Sequence, residues 1–131
     1  MENKDTTSCT HKSVAEWKQL VAEFQKPHVG LATWQIINTL TPIAVIWVGL
    51  YFLKSISLWL CLPLSMLAGL FLIRAFIIFH DCGHGSFFKS KRANNILGFI
   101  TGMLTFTPYH HWKWEHAVHH ATNGDLDKRG I

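Results

Sequence analysis

The chain has 131 residues, 49% of them hydrophobic, with a formal net charge of +4. With a mean hydropathy of +0.17, this balance suits a membrane better than the cytosol. The basic residues flank apolar segments instead of forming one stripe, which argues against a nucleic-acid partner, and Cys9, Cys61 and Cys82 have neither disulfide-framework nor zinc-knuckle spacing.

Residues 1–12 are polar and aperiodic. Glu2, Asp5, Glu16 and Glu23, with no long apolar core among them, exclude a cleavable secretory signal, so the N-terminus is expected to stay where it is made. Ser13 with Glu16 forms a capping box, and Val14, Trp17, Leu20, Val21 and Phe24 recur at helical spacing until Pro27. The spacing predicts an amphipathic helix lying beside a bilayer, within a flank of residues 1–30.

From Leu31 to Leu53 only uncharged polar residues and Pro42 interrupt the apolar run, which as a helix reaches ~34 Å and crosses a bilayer. A minimal turn at Lys54 and Ser55 leads to a second spanning run, Ile56 to Phe79. The two form a transmembrane hairpin. Its one late charge, Arg74, is expected to snorkel to headgroups. Lys4, Lys12, Lys18 and Lys26 precede the hairpin, Lys54 alone lies in its turn, and the other basic residues follow from Arg74 onward. The positive-inside rule therefore puts both flanks, and both termini, in the cytoplasm.

Ile96 to Thr107 is too short to span, at ~18 Å, and reads as a re-entrant or interfacial segment. Its Gly98 and Gly102 predict close packing against a neighbour. Thr107 as N-cap and Pro108 at the first helical position open a further helix, which Asn123 and Gly124 stop. The tail from Gly124 to Ile131 is polar, so the chain is expected to stop mid-domain.

Nine histidines are present. His11 and His28 are isolated, and His110 and His111 suit a helix surface. The rest form two clusters, HDCGH (His80, His84) and HAVHH (His116, His119, His120). Residues four apart share a helix face, so His80 and His84 can point at one metal, while His119 and His120 fan to either side of His116. Imidazole suits iron, zinc, copper and nickel, so ligand type alone does not decide. An HExxH protease needs a glutamate where this chain has Asp81, and a transporter would bury its ligands mid-bilayer. The layout favours a site at the membrane face.

HDCGHGSFF, the PY and W before the second cluster, HAVHHATN and LDKRG together resemble the membrane fatty acid desaturases of the bacterial and cyanobacterial acyl-lipid type. The spacing of His80 and His84 is similar to that of the omega-6 branch. The resemblance implies an all-α integral membrane fold, in which a helical hairpin and cytoplasmic-face helices carry histidine boxes at residues 80–84 and 116–120. It also implies two non-haem irons held by His80, His84, His116, His119 and His120, with O2 as co-substrate and lipid acyl chains as substrate. The electron donor would be ferredoxin or cytochrome b5, and the location a bacterial cytoplasmic membrane.

Ligand imidazoles need partners for their second N–H, for which Asp81, Glu115, Asp125 and Asp127 are near in sequence. Trp112 shares the face of His116 and is expected to pack against the site; Phe87, Phe88, Tyr109 and Trp114 read as interfacial aromatics. The family carries a third box and further helices that this sequence does not contain. Residues 31–131 are therefore expected to be the N-terminal part of the desaturase domain, inactive alone. The alternative is a histidine-rich membrane metal-binding or transport protein.

Overall fold

The computed structural model describes Trp17 and residues 26–122. The helix expected from Ser13, the stop at Asn123 and Gly124, and Asp125 and Asp127 lie outside the described residues. Among the described residues the fold is all-helical: α1 (Val29–Leu53), α2 (Leu58–His84), α3 (Lys91–Leu104) and α4 (Tyr109–Thr122).

Helix α1 starts two residues earlier than expected because His28, in extended backbone, caps it: Leu31 N–H donates to His28 Nδ1 at 3.3 Å. The turn to α2 closes on Leu53, whose carbonyl accepts from Ile56 and Ser57. Both helices, of 25 and 27 residues, are long and apolar enough to cross a membrane. Only 17% and 22% of their most apolar windows are buried, so Trp34, Val45, Trp47, Met66, Leu70 and Ile73 face outward. Such a surface is unfavourable in water.

Arg74 corrects the snorkelling expectation. Its guanidinium turns to the neighbouring helix, where Nη2 donates to Asn38 Oδ1 at 2.7 Å and Nε to Thr39 Oγ1 at 3.4 Å. A charge among apolar side chains is costly unless paired, and α1 offers two acceptors at the same level. Asn38→Ala is accordingly expected to weaken the hairpin by about 1 kcal/mol, in the range of interhelical hydrogen bonds in membranes. Unfolding of the variant in mixed micelles at the wild-type midpoint would contradict this pairing.

Nothing in the sequence stops α2 at Phe79, and the helix carries both histidines of the first box to Gly85. Gly85 is left-handed (φ 72); its N–H donates to Cys82 O and that of Ser86 to Asp81 O, a Schellman closure. Helix α3 also begins earlier than the apolar run, at Lys91, because Ser90 Oγ accepts from Ala93 N–H. Beyond its last residue, Leu104, the chain turns at Phe106, a non-glycine residue at φ 54, with Thr107 N–H donating to Gly102 O at 2.8 Å. The next cap is displaced by one residue. Trp112 N–H donates to the Pro108 carbonyl, while the Thr107 hydroxyl donates to Thr105 O instead of capping α4.

Ala32, Ile78, Phe79, Cys82, Phe87, Leu97 and Tyr109 form the core. Phe87 and Tyr109 are therefore not interfacial aromatics: both are buried, Tyr109 against Gly98 of α3 and Phe87 beside Leu31 and Ala32 of α1. Phe88 packs partly buried against the same core, and Trp114 stays exposed. Both glycines of α3 are close approaches, as expected. A Cβ on Gly98 would lie 2.2 Å from the Tyr109 ring, and one on Gly102 would lie 2.7 Å from Thr107 O.

Candidate metal centre

The last turns of α2 and the middle of α4 bring histidines from the two boxes together. His84 Nε2 lies 3.2 Å from His80 Nε2 and 3.1 Å from His116 Nε2, and His120 Nε2 lies 3.0 Å from His116 Nε2. The ligand nitrogens of His80, His84 and His116 all fall within 4.8 Å of one another. Imidazole nitrogens bind a metal at ~2.0–2.1 Å, so donors on one ion stand ~3 Å apart. The triad fits that requirement, and His120 extends it along α4.

His119 is not brought into the triad. Its ring stacks 6.3 Å from that of His116, and the triad's ligand atoms exclude it. His110 and His111 are exposed, as expected, and His111 Nε2 lies 3.3 Å from Glu115 Oε1. Glu115 thus serves His111. Asp81 does support a box: with the proton on Nδ1, His80 donates to Asp81 Oδ1 at 3.2 Å, which leaves Nε2 facing the cluster. Burial holds His116 below the ordinary imidazole pKa, and neighbouring imidazole charges, His120 first, add to this. The neutral, metal-binding form is favoured.

Trp112 packs against the site as expected. Its indole lies nearly parallel to His116 at 4.3 Å and meets His80 edge-on at 5.7 Å. Space for the indole comes from Gly83, where a Cβ would stand 2.7 Å from a Trp112 ring carbon. A glycine inside a ligand pair, easily read as a spacer, is thus the slot that sets α4 against α2. Beside it lies a 440 Å³ cleft lined by His84, Trp112, Lys113, His116, Ala117 and His120.

Two positioning groups escape a reading of spacing alone. Asn94, buried on the inner face of α3, accepts from Phe88 N–H at 2.9 Å and donates to the Gly85 and Phe88 carbonyls. It pins the loop that follows the first box. The available signal was its position, since Asn94 falls at helical spacing with Leu97, Gly98 and Thr101. Tyr109 is the other; burial, then the Cys82 thiol, push its pKa up, so its hydroxyl remains a donor.

An apolar helical hairpin ending in convergent imidazoles defines a class of all-helical proteins with a candidate metal centre beside two potential spans. The fatty acid desaturase family profile matches residues 57–129. The chain is 48% identical over 120 residues to a fatty acid desaturase of Bacillus subtilis, covering 92% of this chain and 34% of that protein. It is 35% identical over 111 residues to an sn-1 oleoyl-lipid 12-desaturase of Synechocystis (84% of this chain, 30% of that protein). With an sn-1 acyl-lipid omega-3 desaturase (ferredoxin) of the same organism, identity is 38% over 81 residues (60% and 23%). No solved structure matches. The chain belongs to the fatty acid desaturase family and spans about a quarter to a third of the length of these curated relatives.

Proposed function

We propose that this chain supplies the first two histidine boxes of an O2-dependent, di-iron desaturase acting on acyl chains of membrane lipids. The observation that carries the reading is the convergence of His80, His84 and His116 from two helices onto one ion-sized space. His80, His84, His116 and His120 would hold one iron, and His119, turned aside on α4, would contribute to a second. Bound iron supplies the dioxygen activation that an unactivated methylene requires and that acid–base side chains cannot provide. The chain's own residues do the rest: Asp81 fixes the His80 tautomer, and Trp112, stacked on His116, orients its ring.

Both apolar helices would cross the membrane, with the flanks and both boxes on the cytoplasmic side. The acyl chain would then reach the cleft beside Trp112 directly from the bilayer. Ferredoxin or cytochrome b5 would supply electrons; the ferredoxin in the name of one Synechocystis relative supports the former.

The test is a chimera in which this chain replaces the matching segment of the Bacillus subtilis desaturase, expressed in a host without its own desaturase. Gas chromatography should find unsaturated acyl chains in aerated cells and none without oxygen. A chimera that inserts and binds iron, yet leaves acyl chains saturated or drives metal across vesicles, would favour a metal-binding or transport protein.

A further inference from the structure

Beneath the histidine cluster, one hydroxyl joins the two helices that carry the boxes. Tyr109 is 2% exposed, and its Oη donates to the Cys82 carbonyl at 3.0 Å. Cys82 stands midway between His80 and His84, in the last turn of α2, where its carbonyl accepts from the capping Gly85 N–H and has a second lone pair for the phenol. Tyr109 itself opens α4, about two turns before His116 and on the same face. The bond therefore runs from the centre of the first box to the helix of the second.

The ring is fixed before the hydroxyl acts. It occupies the slot opened by Gly98 and meets Phe79 edge-on at 5.7 Å. A phenol has one proton, and here two acceptors compete for it, Cys82 O and Asn95 Oδ1, the latter at 3.2 Å. Lys113 resolves the competition. Its Nζ donates to Asn95 Oδ1 at 3.2 Å and to Tyr109 Oη at 3.5 Å, which leaves the phenolic proton for Cys82.

We propose that Tyr109, oriented by Lys113, is a positioning residue for the metal site, its hydroxyl setting the offset of α2 against α4 and so the approach of His84 to His116. Ring packing alone fixes how far apart the helices stand but lets the last turn of α2 slide. A hydrogen bond is directional and weakens steeply off-line, so it fixes that remaining freedom. The need is tight, since metal–ligand distances tolerate only ~0.2 Å. The proposal rests on the metal-site reading above.

The experiment titrates the 131-residue chain in detergent micelles with cobalt(II) chloride, whose visible absorption reports donor number and geometry. Tyr109→Phe keeps the ring and is expected to bind cobalt about 10-fold more weakly with a shifted absorption band, the size of effect seen when a ligand's outer partner is lost. A merely structural hydroxyl would lower the melting temperature and leave the band in place. Lys113→Met, on the accessible side of α4, decides the matter should Tyr109→Phe not fold: it should shift the same band by less, and Lys113→Arg should restore it. Wild-type cobalt binding with an unchanged band in the folded variants overturns the proposal alone. A wild-type chain that leaves cobalt in solution overturns the metal-site reading and the proposal with it.

Discussion

His116→Ala is expected to abolish metal binding by the triad and, in the chimera, to lower acyl unsaturation by more than the ~100-fold that loss of an outer partner can cost. His116 is the joint of the cluster: its Nε2 lies 3.1 Å from His84 Nε2 and 3.0 Å from His120 Nε2, and its ring is 4.9 Å from that of His80. Without it, the donors proposed for the triad's ion fall from four to three, and His120 alone represents α4 among them. His120, with its ring 5.1 Å from that of His84, is already counted among the donors to that ion, His119 faces aside and His111 pairs with Glu115, so none of these replaces the lost imidazole. His119→Ala should behave differently. It should keep one tightly bound ion while losing the second and the activity. Metal per chain after equilibrium dialysis separates the two variants, and retention of the tight ion by His116→Ala would remove that residue from the centre.

Gly98→Ala is expected to destabilise the fold by about 3 kcal/mol, at the upper end for an overpacked core. The added methyl would lie 2.2, 2.6 and 2.8 Å from three carbons of the Tyr109 ring. The ring cannot yield easily, being buried, edge-on to Phe79 and tied to Cys82 by its hydroxyl. Gly69 in α2 is the control, with nothing within 4 Å of a Cβ built there. Alanine at that position should be neutral or stabilise by up to about 1 kcal/mol, through helix propensity. Thermal unfolding followed by circular dichroism measures both, and equal melting temperatures would show that α3 and Tyr109 are not in the contact described.

What the sequence made legible was whatever a single helix determines. Apolar length marked α1 and α2, and the four-residue interval put His80 and His84 on one face, because both depend only on rise and turn. What it hid depends on two helices meeting. His119 and His120 straddle His116 almost symmetrically in α4, and which of them turns inward is decided by where α2 lies. Arg74 near a helix end looked like a headgroup anchor until Asn38, on the other helix, supplied an acceptor at 2.7 Å. Phe87 and Tyr109 looked interfacial because nothing local reveals that α1 lies beside the first and α3 against the second. Likewise Gly83 gains its meaning only from Trp112, which lies on α4.

Helix α2 runs without a break from Leu58 to His84, joining the long apolar segment to the first box on one screw. Each residue added to a helix advances its downstream turns by ~1.5 Å and rotates them by about 100°. An insertion between Arg74 and His80 would therefore swing both imidazoles away from α4 while Arg74 stayed anchored to Asn38. The opposite end is free of that constraint, since residues gained or lost near Ser57 change the reach of the hairpin and leave the angle between anchor and box untouched. A change in the reach of the hairpin is thus open to this architecture at the Lys54–Ser57 turn, and closed to it, except in near-whole turns, beside the histidines.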